Sequence, residues 1–356
     1  MEFIKYMQAS GHEELAVWTD SANGVKAFIA IHDRTLGPSL GGTRIWPHPT
    51  DEDAIMDVLR LSRAMTYKSA AAGLNLGGGK GLIVADSRTD KTEAMFRSYG
   101  RFVESLGGRY VTTEDVGADA QNMVWIAEET EHVVGLPEEL GGSGNPAGMT
   151  GFGVFQAMRA CAEAAWGSDS LDGRRVSIQG FGNAASSLAA HLVEAGAELI
   201  VTDIHEDAVQ RAAGLPRTTI VPPDAIYDEE CDVFAPCALG GVLNEATLPR
   251  LRCQVVCGAA NNQLATPEDA QRLVQRGIVY APDFIANAGG VTNVYFEIGQ
   301  PYDREGARAH TATIYDTMHR VLAIADAEGL TTAEAANRLA EERLAAGRAS
   351  TVLDVR

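Results

Sequence analysis

The sequence has few features of membrane, secreted or metal-binding proteins. No run of 18 apolar residues occurs, so no transmembrane helix is expected. The N-terminus places Glu2 ahead of any apolar run, unlike a secretory signal. The five cysteines form no C-x-x-C pair, and this pattern predicts neither a zinc site nor a disulfide framework. We therefore expect no bound metal, no membrane association and a reducing, cytoplasmic location.

Positive charge is scarce as well. The chain has 29 Lys and Arg residues against 48 Asp and Glu residues, and a formal net charge of −19. A surface with this excess of acid repels polyanions, so nucleic acid is not expected as a ligand. Only five lysines occur, and Lys68 and Lys80 lie in the apolar, glycine-rich run 65–84. Because a buried lysine loses its proton far more readily than an arginine, this placement suggests a functional role.

Length and composition indicate two globular α/β domains. The chain has 356 residues, of which 46% are hydrophobic and 22% charged, and this is typical of about two domains. Apolar runs typical of strands alternate with helical patterns in both halves, as in α/β folds. A stretch rich in glycine and proline separates the halves. We expect one domain at 1–135, with helices at 331–356 packing back on it, and a second domain at 136–330.

Local patterns predict the individual elements. A helix is expected to begin at Thr50, which has Asp53 in the capping-box position. Three glycines before Lys80 cost conformational entropy unless the chain there approaches a ligand closely. In the first half we expect strands at 14–18, 25–32, 81–85 and 110–113, further helices at 91–106 and 118–129, and glycine-rich loops at 36–44 and 77–80. In the second half we expect strands at 175–179, 198–203, 232–235, 254–257 and 278–280, helices at 151–165 and up to 195, and a helical C-terminus.

The sequence Gly180-x-Gly182-x-x-Ala185 has the form of a dinucleotide-binding fingerprint. It follows a predicted strand directly and opens a helix, which is the context that the fingerprint requires. Gly180 permits the tight turn, Gly182 lets the backbone approach a pyrophosphate, and Ala185 permits close packing of helix on strand. Asn183 opens the helix, whose first N–H groups would bind the phosphates. We therefore expect a Rossmann domain.

Asp203 indicates which dinucleotide this domain binds. It lies 21 residues beyond Gly182, at the end of the next predicted strand. A carboxylate at this point suits the 2′-hydroxyl of the ribose and repels a 2′-phosphate. We therefore expect NAD rather than NADP as the cofactor.

Six short motifs give the chain a resemblance to a known family. They are Gly41-Gly42-Thr43-Arg44, Met65-Thr66-Tyr67-Lys68, Gly77-Gly78-Gly79-Lys80, Thr113-Glu114-Asp115-Val116-Gly117, Asn261-Asn262 and Asn287-Ala288-Gly289-Gly290. With them the sequence resembles the glutamate, leucine, valine and phenylalanine dehydrogenases nearly end to end, and most of all the leucine branch. The resemblance implies reversible, NAD-dependent oxidative deamination of an L-amino acid to a 2-oxo acid and ammonia.

The resemblance also implies roles for residues around the substrate. Lys68 matches the lysine that binds the substrate carboxylate, with Asn262 as a neighbouring donor. Gly41 matches the position whose carbonyl accepts from the substrate ammonium. Lys80 matches the general base that activates water, and Asp115 matches the carboxylate that moves the amino-group proton and offsets the lysine charge. Burial beside a second cation would favour the neutral amine that Lys80 needs for this role.

The side-chain pocket of the family corresponds here to Leu40, Thr113, Val291 and Val294. Leu40 and Val294 match the branched-chain enzymes and should leave room for Leu, Val or Ile. None of the four is cationic, which argues against glutamate as the substrate. Thr113 stands where alanine is expected in the leucine enzymes, and its bulk would shift preference toward Val or Ile. One methylene is worth only ~1–3 kcal/mol of discrimination, so the order among the three stays open.

The architecture implied by the resemblance has two α/β domains with a cleft between them. The N-terminal domain would bind substrate and mediate oligomerisation, and the C-terminal Rossmann domain would bind NAD. Thr150 and Asn261 match positions that contact the nicotinamide end of the cofactor. The resemblance also implies a homo-oligomer, with an octamer favoured. A dimer or tetramer stays open because the tail 349–356 is short.

Two other functions remain to be weighed. One is a phenylalanine dehydrogenase, against which Leu40 and the intact run Thr113-Glu114-Asp115 argue. The other is a catalytically silent NAD-binding regulatory protein. A silent protein should have lost Lys80 or Asp115, and both are present.

Overall fold

The computed structural model describes residues 2–354, with side-chain surroundings for 2–350. The chain forms two compact units. The first comprises Met1–Asn145, Val294–Arg304 and Ala340–Arg356, and the second comprises Pro146–Asn293 and Glu305–Leu339. The division therefore falls after Asn145 rather than after residue 135, and a segment around residue 300 belongs to the first unit. Glu297 gives the reason, because its carboxylate accepts hydrogen bonds from the backbone N–H groups of Gly135 and Ser143, each at 2.9 Å.

A five-stranded mixed sheet forms the centre of the first unit. Its strand order is β1-β2-β4-β3-β5, where β3 runs parallel to β4 and β5, and β2 runs antiparallel to β1 and β4. The strands are β1 (Glu14–Asp20), β2 (Val25–Asp33), β3 (Ser39–Ile45), β4 (Gly77–Ile83) and β5 (Tyr110–Glu114). The helices are α1 (Glu2–Ser10), α2 (Asp51–Ala71), α3 (Glu93–Ser105) and α4 (Ala120–Ala127), with a short 3-10 helix at Glu138–Leu140.

Both faces of this sheet are buried. Ile29 and Ile31 of β2 point into a core with Phe96 of α3, while Phe28 packs on the opposite face with Val58 of α2. Successive side chains of a strand alternate between faces, so the nearly continuous apolar run of β2 serves both layers. The start of α2 is as predicted, since Thr50 caps it and accepts from the N–H of Asp53.

The two glycine-rich segments expected as loops are strands β3 and β4. Their glycines are explained by close packing instead of by a ligand. A β-carbon at Gly79 would lie 2.6 Å from the ring of Tyr110. A β-carbon at Gly78 would overlap the backbone of Ser62 and Thr66, where α2 crosses the strand. Glycine has a low propensity for strands, but at these contacts only a residue without a side chain fits.

The second unit contains a six-stranded parallel sheet with the order β11-β10-β9-β6-β7-β8. Counted from β6 this is the 3-2-1-4-5-6 order of a Rossmann fold, and the predicted fold class is confirmed. The strands are β6 (Arg175–Gln179), β7 (Glu198–Thr202), β8 (Thr218–Ile220), β9 (Val233–Pro236), β10 (Val255–Val256) and β11 (Val279–Tyr280). The helices are α5 (Ala147–Trp166), α6 (Asn183–Glu194), α7 (Glu206–Ala213), α8 (Glu268–Gln275), α9 (Asp283–Ala286), α10 (Gly289–Tyr295), α11 (Arg304–Ala312) and α12 (Ile314–Glu328), with 3-10 helices at Ala225–Tyr227 and Leu248–Arg250.

The last helix, α13 (Thr332–Asp354), ends in the first unit. Arg343 of this helix donates to the carbonyl oxygens of Ala70 and Leu74 at 3.1 and 2.8 Å. These bonds place the Arg343 guanidinium at the C-terminal end of α2, where a cation is favourable. Arg348 adds an ion pair with the buried Asp33 at 2.5 Å. None of the described helices is long and apolar enough to cross a membrane.

Candidate active site

Lys80 and Asp115 form a partly buried ion pair in the first unit. Lys80 lies in the middle of β4, its side chain is 7% exposed, and its Nζ is 2.6 Å from Oδ2 of Asp115. Asp115 follows directly after β5, and β3 lies between these two strands. Gly42 of β3 makes room for the pair, since a β-carbon there would lie 2.7 Å from Cβ of Asp115. The structure thus brings together the two residues predicted to be catalytic.

Asp115 has a second cationic partner that the sequence did not reveal. Nε of Arg44, at the end of β3, donates to the same Oδ2 at 3.2 Å. Burial raises the pKa of Asp115, but the charge and hydrogen bond of Lys80 and the charge of Arg44 outweigh it, so the pKa lies below its usual range. Asp115 is therefore a carboxylate at neutral pH.

Lys68 lies half-buried in the last turn of α2. The helix packs against β4 through Ser62 and Thr66, whose backbones lie against Gly78. Lys68 lies two residues after Thr66 on this helix, which packs against the strand of Lys80. Two of the five lysines therefore belong to neighbouring elements, as their common glycine-rich segment indicated.

The carbonyl of Gly41 already has a partner inside the core. Its oxygen accepts a hydrogen bond from the buried Tyr110 hydroxyl at 2.6 Å. A β-carbon at Gly41 would overlap the carbonyl of Gly79 in the neighbouring strand, so close packing explains the glycine. A carbonyl oxygen has two lone pairs, and the Tyr110 hydroxyl occupies one of them. The role of this carbonyl toward a substrate ammonium therefore stays a prediction.

Of the four pocket positions, the structure brings two together around a glycine. A β-carbon at Gly135 would lie 2.7 Å from Oγ1 of Thr113 and 3.9 Å from Cγ1 of Val294. Thr113 is half-buried, and within the described residues its buried Oγ1 has no hydrogen-bond partner. Leu40 is 1% exposed in β3, and Val291 of α10 is 7% exposed in the second unit. No signal in the sequence singled out Gly135 as a neighbour of these positions.

The fingerprint in the second unit has the geometry that a dinucleotide needs. Gly180 has a φ of +89°, and a β-carbon there would lie 2.6 Å from Cβ of Ala238. Gly182 caps α6, and a β-carbon on it would meet no atom within 4 Å, so the first turn of the helix faces open space. Asn183 begins the helix, and Ala185 is buried against the sheet. The residues present therefore fit a pyrophosphate at this turn.

Asp203 lies directly beside this turn. Its Oδ2 accepts from the N–H of Phe181, within the fingerprint, at 2.6 Å, and its Oδ1 accepts from the N–H of His205 at 2.8 Å. Partial burial raises the pKa of Asp203, and these two backbone hydrogen bonds more than offset that effect, so the pKa is below its usual range. An ionised carboxylate at this place fits a ribose diol and disfavours a 2′-phosphate.

The three residues expected at the nicotinamide end and near the substrate carboxylate also lie in the second unit. Oδ1 of Asn261 accepts from Nδ2 of Asn287 at 2.9 Å, which fixes the orientation of its amide. Asn262 has a φ of +52° and donates its backbone N–H to the Asp283 carboxylate. Thr150, in the first turn of α5, lies against Gly290, whose β-carbon would be 2.8 Å from Oγ1 of Thr150.

Among the described residues, no group of three or more His, Cys, Asp or Glu side chains is arranged to hold a metal ion. The five cysteines, Cys161, Cys231, Cys237, Cys253 and Cys257, are free thiols.

Comparison with known proteins gives the same family for both halves of the chain. The family described as Glu/Leu/Phe/Val dehydrogenase, dimerisation domain, matches residues 12–132, and the Glutamate/Leucine/Phenylalanine/Valine dehydrogenase family matches residues 141–222 and 205–351. A leucine dehydrogenase of Geobacillus stearothermophilus is 51% identical over 97% of this chain and 94% of its own length. A valine dehydrogenase of Streptomyces virginiae is 46% identical over 95% of each chain.

A solved structure agrees with these sequences. The crystal structure of L-tryptophan dehydrogenase from Nostoc punctiforme superimposes with a TM-score of 0.86 and 43% sequence identity. The match covers 97% of this chain and 99% of that chain. With the Rossmann strand order, the fingerprint and the Lys80–Asp115 ion pair in place, the predicted resemblance is confirmed: the chain belongs to the Glu/Leu/Phe/Val dehydrogenase family.

Proposed function

We propose that this protein catalyses the reversible, NAD-dependent oxidative deamination of the branched-chain L-amino acids Leu, Val and Ile to 2-oxo acids and ammonia. The observation that carries the proposal is the partly buried ion pair of Lys80 and Asp115 at 2.6 Å. The chain is an oxidoreductase that acts on a CH–NH2 group, as a member of its family, and its similarity to leucine and valine dehydrogenases supports the branched-chain substrates.

The first unit supplies the groups that act on the substrate. Lys68 binds the substrate carboxylate, and the carbonyl of Gly41 accepts from the substrate ammonium. By the family resemblance, Asn262 is a further donor to the carboxylate. Lys80 is the general base that removes a proton from the attacking water, and Asp115 exchanges the proton of the substrate amino group. The carboxylate of Asp115 also balances the charge that Lys80 acquires when it takes the proton, which lowers the cost of forming a cation in a buried place.

The second unit supplies the cofactor site. The chemistry that bound NAD would supply there is acceptance of a hydride from Cα of the amino acid. Gly180, Gly182, Asn183 and Ala185 form the turn that would hold the pyrophosphate of NAD. Asp203 would hold the ribose diol, while Thr150 and Asn261 would contact the nicotinamide end. Because Asn287 fixes the amide of Asn261 at 2.9 Å, that contact would be preorganised.

The pocket positions favour an aliphatic substrate side chain. Leu40, Val291 and Val294 are buried and apolar, and Thr113 adds one methyl group and one hydroxyl. No cation occurs at these four positions to pair with the side-chain carboxylate of glutamate. Bulk at Leu40 and Val294 disfavours a phenyl ring, so phenylalanine is the second candidate substrate rather than the first.

Formation of NADH at 340 nm tests the proposal. We expect turnover at alkaline pH with Leu, Val and Ile and NAD, and much less with Phe, Trp, Glu or with NADP. Turnover led by Phe would leave the chemistry intact and overturn the pocket argument. A protein that binds NADH but turns over none of the six amino acids would be a silent NAD-binding regulator, and the proposed function would be wrong.

The assembly and location follow the same comparison. The first unit matches a dimerisation domain, so the protein is expected to form a homo-oligomer, and we propose an octamer. Light scattering after size-exclusion chromatography distinguishes it from a dimer or tetramer. Of the tail 349–356, the structure describes the backbone as far as residue 354 and side-chain surroundings as far as residue 350, so residues 355 and 356 lie outside the described residues. Five free thiols favour a reducing cytoplasm.

A further inference from the structure

Two cations on different strands bind the same oxygen of Asp115. Nζ of Lys80 donates to Oδ2 from β4 at 2.6 Å, and Nε of Arg44 donates to it from β3 at 3.2 Å. The side chains of Arg44 and Asp115 are each 24% exposed, whereas that of Lys80 is 7% exposed. Arg44 therefore contacts the carboxylate on its more solvent-exposed side, and Lys80 contacts it from the protein interior.

Arg44 is itself held at its other end. Its Nη1 donates to Oδ2 of Asp57 on α2 at 2.9 Å, and Nε2 of His48 lies 3.3 Å from the same oxygen. The guanidinium thus bridges two carboxylates, that of Asp57 on α2 and that of Asp115 directly after β5. A planar group with donors fixed at both ends has little rotational freedom, so Asp57 sets the direction in which Arg44 presents its Nε to Asp115.

The two cations differ in what happens to their charge during turnover. As the general base of the proposed function, Lys80 must be neutral before it takes a proton. The carboxylate of Asp115 then loses its closest counter-charge. Arg44 cannot lose its proton in this pH range, so it is the cation that remains on Asp115 when Lys80 is neutral.

We propose that Arg44 is a positioning residue that holds Asp115 ionised and oriented while Lys80 is neutral, and that Asp57 fixes Arg44 in this place. The proposal rests on the proposed function, because it assumes that Lys80 cycles between its two charge states. Arg44 does not need to touch the substrate. Its effect is electrostatic and passes through the carboxylate that it shares with Lys80.

Two further titratable groups stand near Asp115. Glu114 precedes it at the end of β5, and burial together with the charges of Asp119 and Asp115 raises the pKa of Glu114. Tyr110 of β5 is fully buried and has a pKa raised to about 12 by that burial, so it does not titrate in the working range. In the absence of Arg44, Asp115 and its acidic neighbours would face Lys80 without a second cation to offset their charge.

The pH profile of kcat/KM for oxidative deamination of leucine tests this role. In Arg44→Met we expect the acid limb to move to higher pH by about one unit, a typical shift for losing one close ion-pair partner. Arg44→Lys keeps the positive charge, so its acid limb should lie close to that of the wild type. Asp57→Asn should move the limb in the same direction by less. Arg60→Met, an exposed arginine on α2, is the matched control and should leave the limb in place, and NADH affinity should be the same in all variants.

A second measurement needs no turnover. We would follow the free energy of urea unfolding from pH 7 to pH 3 for wild type, Arg44→Met, Asp115→Asn and the double variant. A carboxyl with a lowered pKa contributes stability that is complete above the pKa of the unfolded chain, about 4, and is lost as the pH falls through the pKa of the folded protein. The destabilisation by Arg44→Met should therefore be largest at neutral pH and shrink as the pH falls toward 3. In the background of Asp115→Asn it should be smaller and depend less on pH, because only the pair of Arg44 with Asp57 then remains.

The two measurements separate failure of this proposal from failure of the proposed function. An acid limb that does not move, or a cycle without pH-dependent coupling between Arg44 and Asp115, overturns the proposal. If wild type is inactive on every amino acid, the proposed function is wrong, and the unfolding cycle alone decides whether Arg44 governs the ionisation of Asp115.

Discussion

The hydroxyl of Thr113 faces Gly135 in the first unit: a β-carbon at Gly135 would lie 2.7 Å from Thr113 Oγ1. Gly135 has a φ of +80° and donates its N–H to Glu297, so its position is fixed. The Thr113 hydroxyl is buried and has no hydrogen-bond partner within the described residues. A buried hydroxyl without a hydrogen-bond partner lowers the stability of the folded protein. The Thr113 side chain also takes up space close to Val294, another position of the candidate pocket.

Replacing Thr113 by alanine should therefore change specificity without a cost in stability. In Thr113→Ala we expect the ratio of kcat/KM for Leu over Val to rise by about 5- to 20-fold, the worth of roughly one methylene. The matched control is Thr112→Ala, because the Thr112 hydroxyl is 2.6 Å from that of Thr43. That variant should lose about 1–2 kcal/mol of stability and keep the Leu/Val ratio. An unaltered ratio in Thr113→Ala would show that Thr113 lies away from the substrate.

Removing the candidate base should stop turnover while sparing the cofactor. For Lys80→Ala we expect kcat to fall on the order of 10³-fold, a typical loss for a general base. NADH affinity, measured by fluorescence titration, should be unchanged, because the fingerprint lies in the other unit. Lys26→Ala is the control, since Lys26 forms an exposed ion pair with Asp51. Near-normal turnover in Lys80→Ala would exclude it as the base.

Cofactor choice should depend on Asp203. In Asp203→Ala the ratio of kcat/KM for NADP over NAD should rise about tenfold or more, the worth of one hydrogen bond to a charged group. Affinity for both cofactors should fall as well, because Asp203 also holds the N–H of Phe181 at 2.6 Å. Asp207→Ala, at an exposed acid in the first turn of α7, should keep the ratio. If the two variants give the same ratio, Asp203 does not bind the ribose.

The glycine contacts of β4 predict a large loss of stability. Gly78→Ala places a β-carbon into the backbone of α2 at Ser62 and Thr66, and neither backbone can move without shifting the helix. We expect a loss of about 3 kcal/mol or more in the free energy of unfolding. Gly148→Ala is the control, as a β-carbon there meets nothing within 4 Å. Equal stability of the two variants would contradict the close packing of α2 on β4.

A histidine pair should make the protein lose stability in mild acid. The rings of His12 and His32 are 4.7 Å apart, and burial lowers the pKa of His12 from 6.5 to about 4 and also lowers that of His32. At His12 the unfolded chain therefore binds a proton near pH 6.5 that the folded chain does not bind until near pH 4. Unfolding is favoured as the pH falls through this window. Urea midpoints at pH 7, 6 and 5 should decline, and less steeply in His12→Gln than in a control with the exposed His205→Gln.

Features whose residues lie close together in the sequence could be predicted from it. The turn from Gly180 to Ala185 and the carboxylate of Asp203 lie within one βαβ segment, so their pattern predicted both the Rossmann unit and the residues at its turn. The cap at Thr50 is equally local. Each of these depends on spacings of a few residues or on one strand–helix–strand repeat, for which the sequence carries complete information.

The candidate site of the first unit is not local in this sense. Lys80 and Asp115 were paired through the family resemblance, and nothing in their spacing indicated a contact. Arg44 lies 71 residues from Asp115 in sequence, and only the order of the strands brings them together. The low strand propensity of glycine argued against strands at β3 and β4. Each glycine is required by contact with a residue on another element, and such contacts cannot be read from the local sequence. Such information exists only after the sheet has formed.

The glycines of β3 and β4 also limit how the gene can be varied. Every amino-acid change from a glycine codon adds at least a β-carbon, and at Gly41, Gly42, Gly78, Gly79 and Gly81 that atom meets backbone or tyrosine atoms. Random mutagenesis over these codons should therefore yield mainly chains that fail to fold. A library that seeks new amino-acid substrates should leave them untouched and place its diversity at Leu40, Thr113, Val291 and Val294.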